Sequence, residues 1–480
     1  MKPVQDGVHV REDVWKLAPW DDTLLWYAKA TASLRGRSIT DPLSWRFQAA
    51  VHAYVPSRDP LAVKDEELPS SQVQKRFWGR CQHGSWHFLP WHRAYLACFE
   101  QIVRAEIVKL GGPNAWALPY WNYSDPDNPT ALLVRPEFRD EKLPDGSPNA
   151  LADAERGVNE EWAEIGAKTG DYGLSEEDAA LDCLKRGNFD TKTTSGVPSF
   201  GGGQMGFAHN GSAPGHLEIV PHGSVHGGVG GWLGAFNTAG LDPLFWLHHA
   251  NIDRLWEVWL KRDGSLENPT DPAWMQGPSQ PFEFHDASGQ PVSISPKEVV
   301  DTTVPLLGYR YESTDDPLAQ AGLAMANVVS APKQANLAGA SDVGVNLSSA
   351  STSVKIALDS AVTDGAALDG SGQTFLNVEN VTGLDNAAAY RVFVNIADAA
   401  ALSEDHYAGL LPMFGVAEAS RRDDDHGGAG LNFVLDITEL VERLKAEGNW
   451  RPDDLDVTFV PKRPSGSADI KVGRVSLYVG

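Results

Sequence analysis

The sequence predicts a mainly α domain, read as a four-helix bundle, followed by an all-β, sandwich-like domain. Apolar residues recur at helical spacing in DPLSWRFQAAVHAYV, LPWHRAYLACFEQIVRAEIVKL and DPLFWLHHANIDRLWEVWLKR. After about residue 330 the composition shifts to Ala, Ser, Gly, Val and Asn, with short runs bounded by turn residues. Histidines lie within the helical segments.

Residues 12–110 carry the first helical signals, around Trp15, Leu24 and Trp26 and then in the first two segments quoted. Each of those two has a Pro near its start, where a first turn accepts it. His52 reads as mid-helix. Residues 124–215 are rich in Pro, Gly, Asp and Asn and read as a long irregular excursion, with one weaker helix near 151–164. In the third segment Leu244, Leu247, Leu255 and Trp259 share a face, with His248 and His249 mid-helix. Strands are expected in SSASTSVKIAL, QTFLNVENV, YRVFVNI, DVTFVPKR and IKVGRVSLYVG, while SAPKQANLAGASDVG, small and aperiodic, reads as a linker. The domains are therefore placed at 1–330 and 353–480, joined by 331–352, and there is no repeat of the solenoid kind.

A chain of 480 residues with 16 Trp, 17 Phe and 11 Tyr can bury a large core and is folded rather than disordered. Its net charge of −24 argues against nucleic acid or an anionic membrane as partner. Cys81, Cys98 and Cys183 cannot make a disulfide framework. The start MKPVQDGVHV has no signal-peptide pattern, and no window is apolar enough for a membrane span, so a soluble protein is expected, cytoplasmic by default unless a leader was removed. Oligomeric state is not readable.

The histidines carry the chemistry. PHGSVH sets His222 and His226 at i and i+4, the spacing for two imidazoles on one metal, and His249 supplies a third from a separate aromatic-rich helix. In the N-terminal half His52, His83 and His92 form a similar set. Two such sets on four candidate helices suggest a bundle holding two metals. All-imidazole ligation favours copper over iron or structural zinc.

CQHGSWHFLPWHRAYL resembles the first copper-binding segment of the tyrosinase, catechol oxidase and molluscan haemocyanin family, and PHGSVHGGVGG with DPLFWLHHANIDRLW resembles the second. LPYWNYSDP looks like another hallmark of this type 3 copper family. DPAWMQGPSQPFEFHDASGQPV, within 271–312, resembles the region after the copper core in plant polyphenol oxidases, and LNFVLDITELVERL with the closing strands resembles their C-terminal domain. The resemblance implies two copper ions, one on His52, His83 and His92, the other on His222, His226 and His249. His248 then stands beside the site. A Cys placed like Cys81, two residues before His83, is joined to that histidine by a thioether in fungal tyrosinases and molluscan haemocyanins. Plant enzymes take their Cys from a position occupied here by Pro56. Glu218 matches an acid that helps deprotonate a phenol, and Phe236 an aromatic that overhangs the substrate pocket. Asn251, Asp253 and Arg254 could hold ligand rings. Tyr309 and Tyr311 look like the family's tyrosine motif, with Arg11 a cation partner.

The function implied is oxidation of o-diphenols to o-quinones by O2, with small phenols as substrates. The alternative is a haemocyanin-like protein that binds O2 reversibly without phenol turnover; a single copper unit without repeats weighs against it. Hydroxylation of monophenols is expected to be weak, because several tyrosinases carry a water-orienting Asn where this chain has Gly223. By analogy with latent plant enzymes the C-terminal domain shields the site, with Leu411, Met413 and Phe414 of LLPMFG as candidate plugs.

Overall fold

The computed structural model describes all residues except 153–155, 157–173, 321–327, 329–331, 333, 360–371, 385–388, 397–401, 424–426 and 463–468. The helix expected near 151–164 lies almost wholly outside the described residues. The chain forms two compact units: Met1–Gln82, His87–Ala179 and Gly228–Ala326 make the first, and His83–Trp86, Ala180–Gly227 and Asn327–Gly480 the second.

The first unit is the helical one. Its main helices are α1 (Asp22–Arg35), α2 (Trp45–His52), α3 (Ser71–Phe77), α4 (Phe88–Lys109) and, after two short helices introduced below, α7 (Pro243–Arg262). α1 packs on α2 and α4, and α4 on α7. Local chemistry sets their ends. The Asp21 carboxylate accepts from Thr23 N–H at the start of α1, Ser44 Oγ from Phe47 N–H at α2, and Asp242 from Leu244 N–H at α7, where Pro243 takes the first helical position. Helix α2 is shorter than expected. Ser44 rather than Pro42 defines its start, and it ends at His52, so this histidine is terminal, not mid-helix. Val55, extended ahead of Pro56, bars the helix from running on.

Two small sheets complete this unit: β1 (His9–Arg11) lies parallel to β6 (Tyr309–Tyr311), and β4 (Phe282–His285) pairs antiparallel with β5 (Pro291–Ile294). The β1–β6 pairing aims three large polar side chains at α4 and α7. Arg11 donates to Glu100 at 2.7 Å and to the Tyr311 hydroxyl at 2.9 Å, its guanidinium lies 3.5 Å from the Tyr309 ring centre, and Tyr309 donates to Asp253 at 2.6 Å. Arg93 of α4 bonds Asp253 and Glu257. Burial alone would raise the Asp253 carboxyl, but Arg93 and Arg11 outweigh it and hold the group ionised below its usual range.

The second unit is built on an eight-stranded antiparallel sheet. Its strands are β7 (Asn336–Ala340), β9 (Thr352–Leu358), β10 (Thr374–Val381), β11 (Tyr390–Val394), β12 (Tyr407–Leu411), β13 (Leu431–Asp436), β14 (Leu455–Pro461) and β16 (Arg474–Val479), in the order β12-β11-β14-β9-β7-β16-β10-β13. β8 (Val345–Leu347) and β15 (Ile470–Val472) pair separately. Only two residue pairs, Gly339 with Leu358 and Ala340 with Ala357, join β7 to β9. The four strands on either side of that seam share one core, in which Val392 and Phe459 meet Leu376, Leu435 and Leu477. That is the packing of a sandwich. A helix at Thr438–Ala446 adds Leu440, Val441 and Leu444 to the same core.

The linker reading of 331–352 is corrected here: β7 and β8 are strands of this unit. NLAGA carries no aromatic or β-branched signal, because the backbone at Gly339 runs so close to β9 that a Cβ would fall 2.3 Å from Ala357 O. The boundary at 330 also differs from the structure, since residues 180–227 group with the sheet. That stretch, with only the two-residue strands β2 (Asp190–Thr191) and β3 (Gly202–Gly203), uses the sheet to cover its apolar residues. Val197 packs with Phe375, Ile219 enters the β core, and Arg186 pairs with Asp436 at 2.5 Å.

Candidate metal centre

Four histidines of the first unit converge. His52 ends α2, His92 lies in the second turn of α4, and His248 and His249 lie in the second turn of α7; all are buried. The His92 and His249 rings are nearly parallel with centroids 4.6 Å apart, and the His52 centroid is 5.8 Å from His92 and 6.4 Å from His249. Aromatic residues wall them in: Phe245 is 4.2 Å from His249, Phe88 4.5 Å from His92, and Phe236 5.1 Å from His52. His248 sits between Tyr123, at 5.8 Å, and His249, at 5.2 Å.

Three more converge within the second unit: His83 lies 5.6 Å from His222, and His222 lies 4.6 Å from His226. His83 is not on a helix, contrary to the reading of four histidine-bearing helices. Backbone bonds hold it instead: its N–H donates to Ala208 O and its carbonyl accepts from Gly211 N–H at 2.8 Å. Gly84, at φ 60°, then passes so close to Gly211 that a Cβ would fall 2.1 Å from the Gly211 oxygen. His222 lies on a wide turn, Glu218–Gly223, kinked at Val220, that leads into α5 (Ser224–Val229), which carries His226. α6 (Gly231–Gly234) follows.

The tautomers can be assigned at two of these rings. His92 Nδ1 lies 2.8 Å from Phe88 O, and His222 Nδ1 lies 3.1 Å from Glu218 O. A carbonyl only accepts, so each Nδ1 carries its proton and each Nε2 keeps a lone pair for a metal. Buried, neutral nitrogen donors with no thiolate pair among them make a set that fits copper.

Glu218 is buried beside this cluster. Its Oε1 accepts from Gly84 N–H at 2.6 Å, and Oε2 has no hydrogen bond among the described residues. Burial pushes its carboxyl up to about 8, against the backbone N–H groups of Gly84 and Gly215.

The three plug candidates separate. Leu411 and Met413 are buried in the β core, whereas the Phe414 ring lies parallel to His226 at 4.0 Å and edge-on to His222 at 5.7 Å. Gly223 faces Pro412 of the same loop; a Cβ on it would sit 3.3 Å from Pro412 Cγ. Cys81, Cys98 and Cys183 are buried and form no disulfide. Asp253 and Arg254 serve other ends than holding ligand rings: Asp253 accepts from Arg11, Arg93, Tyr309 and Tyr311, and Arg254 bonds Asn122, Asn251 and Ser313 O. Sequence reasoning missed Arg93, Phe245 and Pro412. Phe245, four residues before His249, was open to a helical-spacing argument; the other two meet their partners only through long-range packing.

A family model described as the common central domain of tyrosinase matches residues 42–262, and one described as a domain of unknown function matches 334–480. Tyrosinase HcTyr1 of Hahella sp. (strain CCB-MM4) is 36% identical over 488 residues, spanning 98% of each chain. The chloroplastic polyphenol oxidase B of Solanum lycopersicum is 27% identical, over 94% of this chain and 74% of that protein. The solved structure of latent apple tyrosinase covers 100% of this chain and 98% of its own, with a TM-score of 0.61 at 23% identity, a likeness of fold.

Proposed function

From the premise that this chain belongs to the tyrosinase family and is a copper-dependent oxidoreductase, we propose that it oxidises o-diphenols to o-quinones with O2. Two coppers are held, one by His52, His83 and His92 and the other by His222, His226 and His249. The observation that supports this reading is the burial of all six imidazoles, with Nδ1 protonated at His92 and His222 so that Nε2 presents its lone pair to a metal. Bound copper supplies the electron transfer to O2. The chain supplies the rest. Phe236 and His248 line the substrate pocket and keep water from it. A diphenol sheds two protons as it loses two electrons, and the Oε2 atom of Glu218, in the ionised form of its carboxyl, takes up the first of them, directly or through a water. Cys81 forms a thioether to His83, the thiol S–H and one ring C–H being broken and their two hydrogens passing to O2 as the oxidant, and the bond fixes that ring; digestion should yield a cross-linked peptide that reducing agents leave intact.

Monophenols are the poorer substrates in this reading. Such a phenol must first lose a proton with pKa near 10, and Gly223 offers no side chain to orient the water that would take it. The test is quinone absorbance from catechols and from tyramine or tyrosol, at known copper content. A protein loaded with copper that leaves every catechol unchanged would sink the proposal.

A further inference from the structure

Gly223 and the 411–415 loop meet in the second unit, and three contacts fix the loop there. Pro412 packs on Gly223, Phe414 stacks on His226 at 4.0 Å, and Asn210 Nδ2 donates to Gly415 O at 2.7 Å. The loop has little freedom of its own. Leu411 and Met413, on either side of Pro412, are anchored in the β core, and Gly415, at φ 77°, turns the chain into the short helix Val416–Ala419. Pro412 therefore cannot withdraw without taking Phe414 along.

A side chain at 223 would press against Pro412. A single Cβ would sit 3.3 Å from Pro412 Cγ and 3.6 Å from its Cβ, with Glu218 O at 3.4 Å closing the other side. The first of these is tighter than side-chain carbons tolerate without a shift of a few tenths of an ångström, and the amide of an Asn would reach further. We infer that Gly223 is the seat of the 411–415 loop: the missing side chain admits Pro412 and so holds Phe414 against His226. Residue 223 is then a positioning residue. It sets how firmly the loop is docked, and only through that how the pocket meets a phenol. The link to phenols rests on the function proposed above; the seat itself does not.

A consequence separates this from a water-orienting role alone. In the docked state an Asn at 223 crowds Pro412, so Gly223→Asn would loosen the loop as well as bring an amide to the site.

The experiment is hydrogen exchange on the copper-free full chain, read at the amides of 411–419 and, as a control, across β10. Gly223→Ala should speed exchange in 411–419 by about threefold and Gly223→Asn by at least about tenfold, with β10 unchanged. Pro412→Ala, which removes the atom in closest contact, should return the Gly223→Ala variant to near the wild-type rate. Wild-type protection of 411–419 in both Gly223 variants would overturn the inference, as would equal loosening of β10 in Gly223→Ala. Because no copper or phenol enters this measurement, a chain that fails to oxidise catechols would refute the proposed function and leave this result standing.

Discussion

The rings of Phe414 and His226 lie 10° from parallel with their centroids 4.0 Å apart. An aromatic pair of this kind contributes about 0.5–1.5 kcal/mol, which converts to a two- to tenfold weaker docking of the loop when it is lost, by about 1.4 kcal/mol per factor of ten. Phe414→Ala should therefore raise the rate of catechol oxidation by about that factor while leaving the fold intact. Leu411→Ala and Met413→Ala should instead lose about 2–5 kcal/mol, because they leave cavities in the β core. Urea unfolding beside a quinone assay tells the two behaviours apart. A Phe414→Ala enzyme no faster than wild type removes the loop from any shielding role.

Truncation is a poor way to test shielding. Removing everything after about residue 335 takes away the sheet on which Ile219 and Val197 are buried and the Asp436 partner of Arg186. The segment that carries His222 and His226 would lose its support. The trimmed chain should bind about one copper fewer than the full chain, as elemental analysis after desalting would show. Full copper content in the trimmed chain would mean that 180–227 holds its shape alone.

Loss of a single ligand should act on one metal only. His83→Ala or His226→Ala should each reduce copper from two per chain to about one, since two imidazoles make a poor site. Retention of two coppers in either variant would break the proposed ligand sets.

The Asp253 network predicts stability rather than chemistry. Asp253→Ala leaves Arg11 and Arg93 buried without their shared carboxylate, and breaking such a pair costs about 3–5 kcal/mol. Tyr309→Phe, which removes one hydrogen bond to Asp253, should cost about 1 kcal/mol. Denaturant midpoints give both values, and an Asp253→Ala protein as stable as wild type would show that the network is redundant.

What the sequence disclosed follows the range of the forces involved. Helices α4 and α7 and strands β9, β10, β11, β14 and β16 were readable, because periodicity and flanking turn residues are local signals. Strand β7 was hidden: a strand of small residues, pressed against its neighbour, has no pattern to read. The company kept by 180–227 was hidden as well, since Ile219 and Phe375 find the same unit across more than a hundred and fifty residues of chain. At the site, the histidines stood out by spacing and family likeness, and Arg11 over Tyr309 was anticipated. That Phe414 rather than Leu411 or Met413 would face a histidine could not be read from three apolar residues so close together; the register of β12 and the turn at Gly415 decide it.

The last prediction concerns acid. The His216 imidazole accepts from Arg186 Nε at 3.1 Å, and Arg186 in turn pairs with Asp436 of β13. Burial and the Arg186 charge push His216 down to about 3, with Lys185 acting in the same sense and Asp182 and Asp436 opposing it. An unfolded chain takes up this proton near 6.5, whereas the folded chain refuses it until about 3. The folded pKa is the lower one, so stability is full above about 6.5 and declines as the pH falls from there toward 3, by at most about 1.4 kcal/mol per unit. His216 as a residue is only half-buried, so solvent screening makes the realised slope smaller. Asp436, held below its usual value of 3.8 by Arg186 once burial is outweighed, adds a second loss that begins as the pH falls through 3.8. His216→Asn keeps an acceptor for Arg186 and removes the titration. Its urea midpoint should therefore change less between pH 7 and pH 4.5 than that of the wild type; parallel curves would show that acid weakens the unit elsewhere.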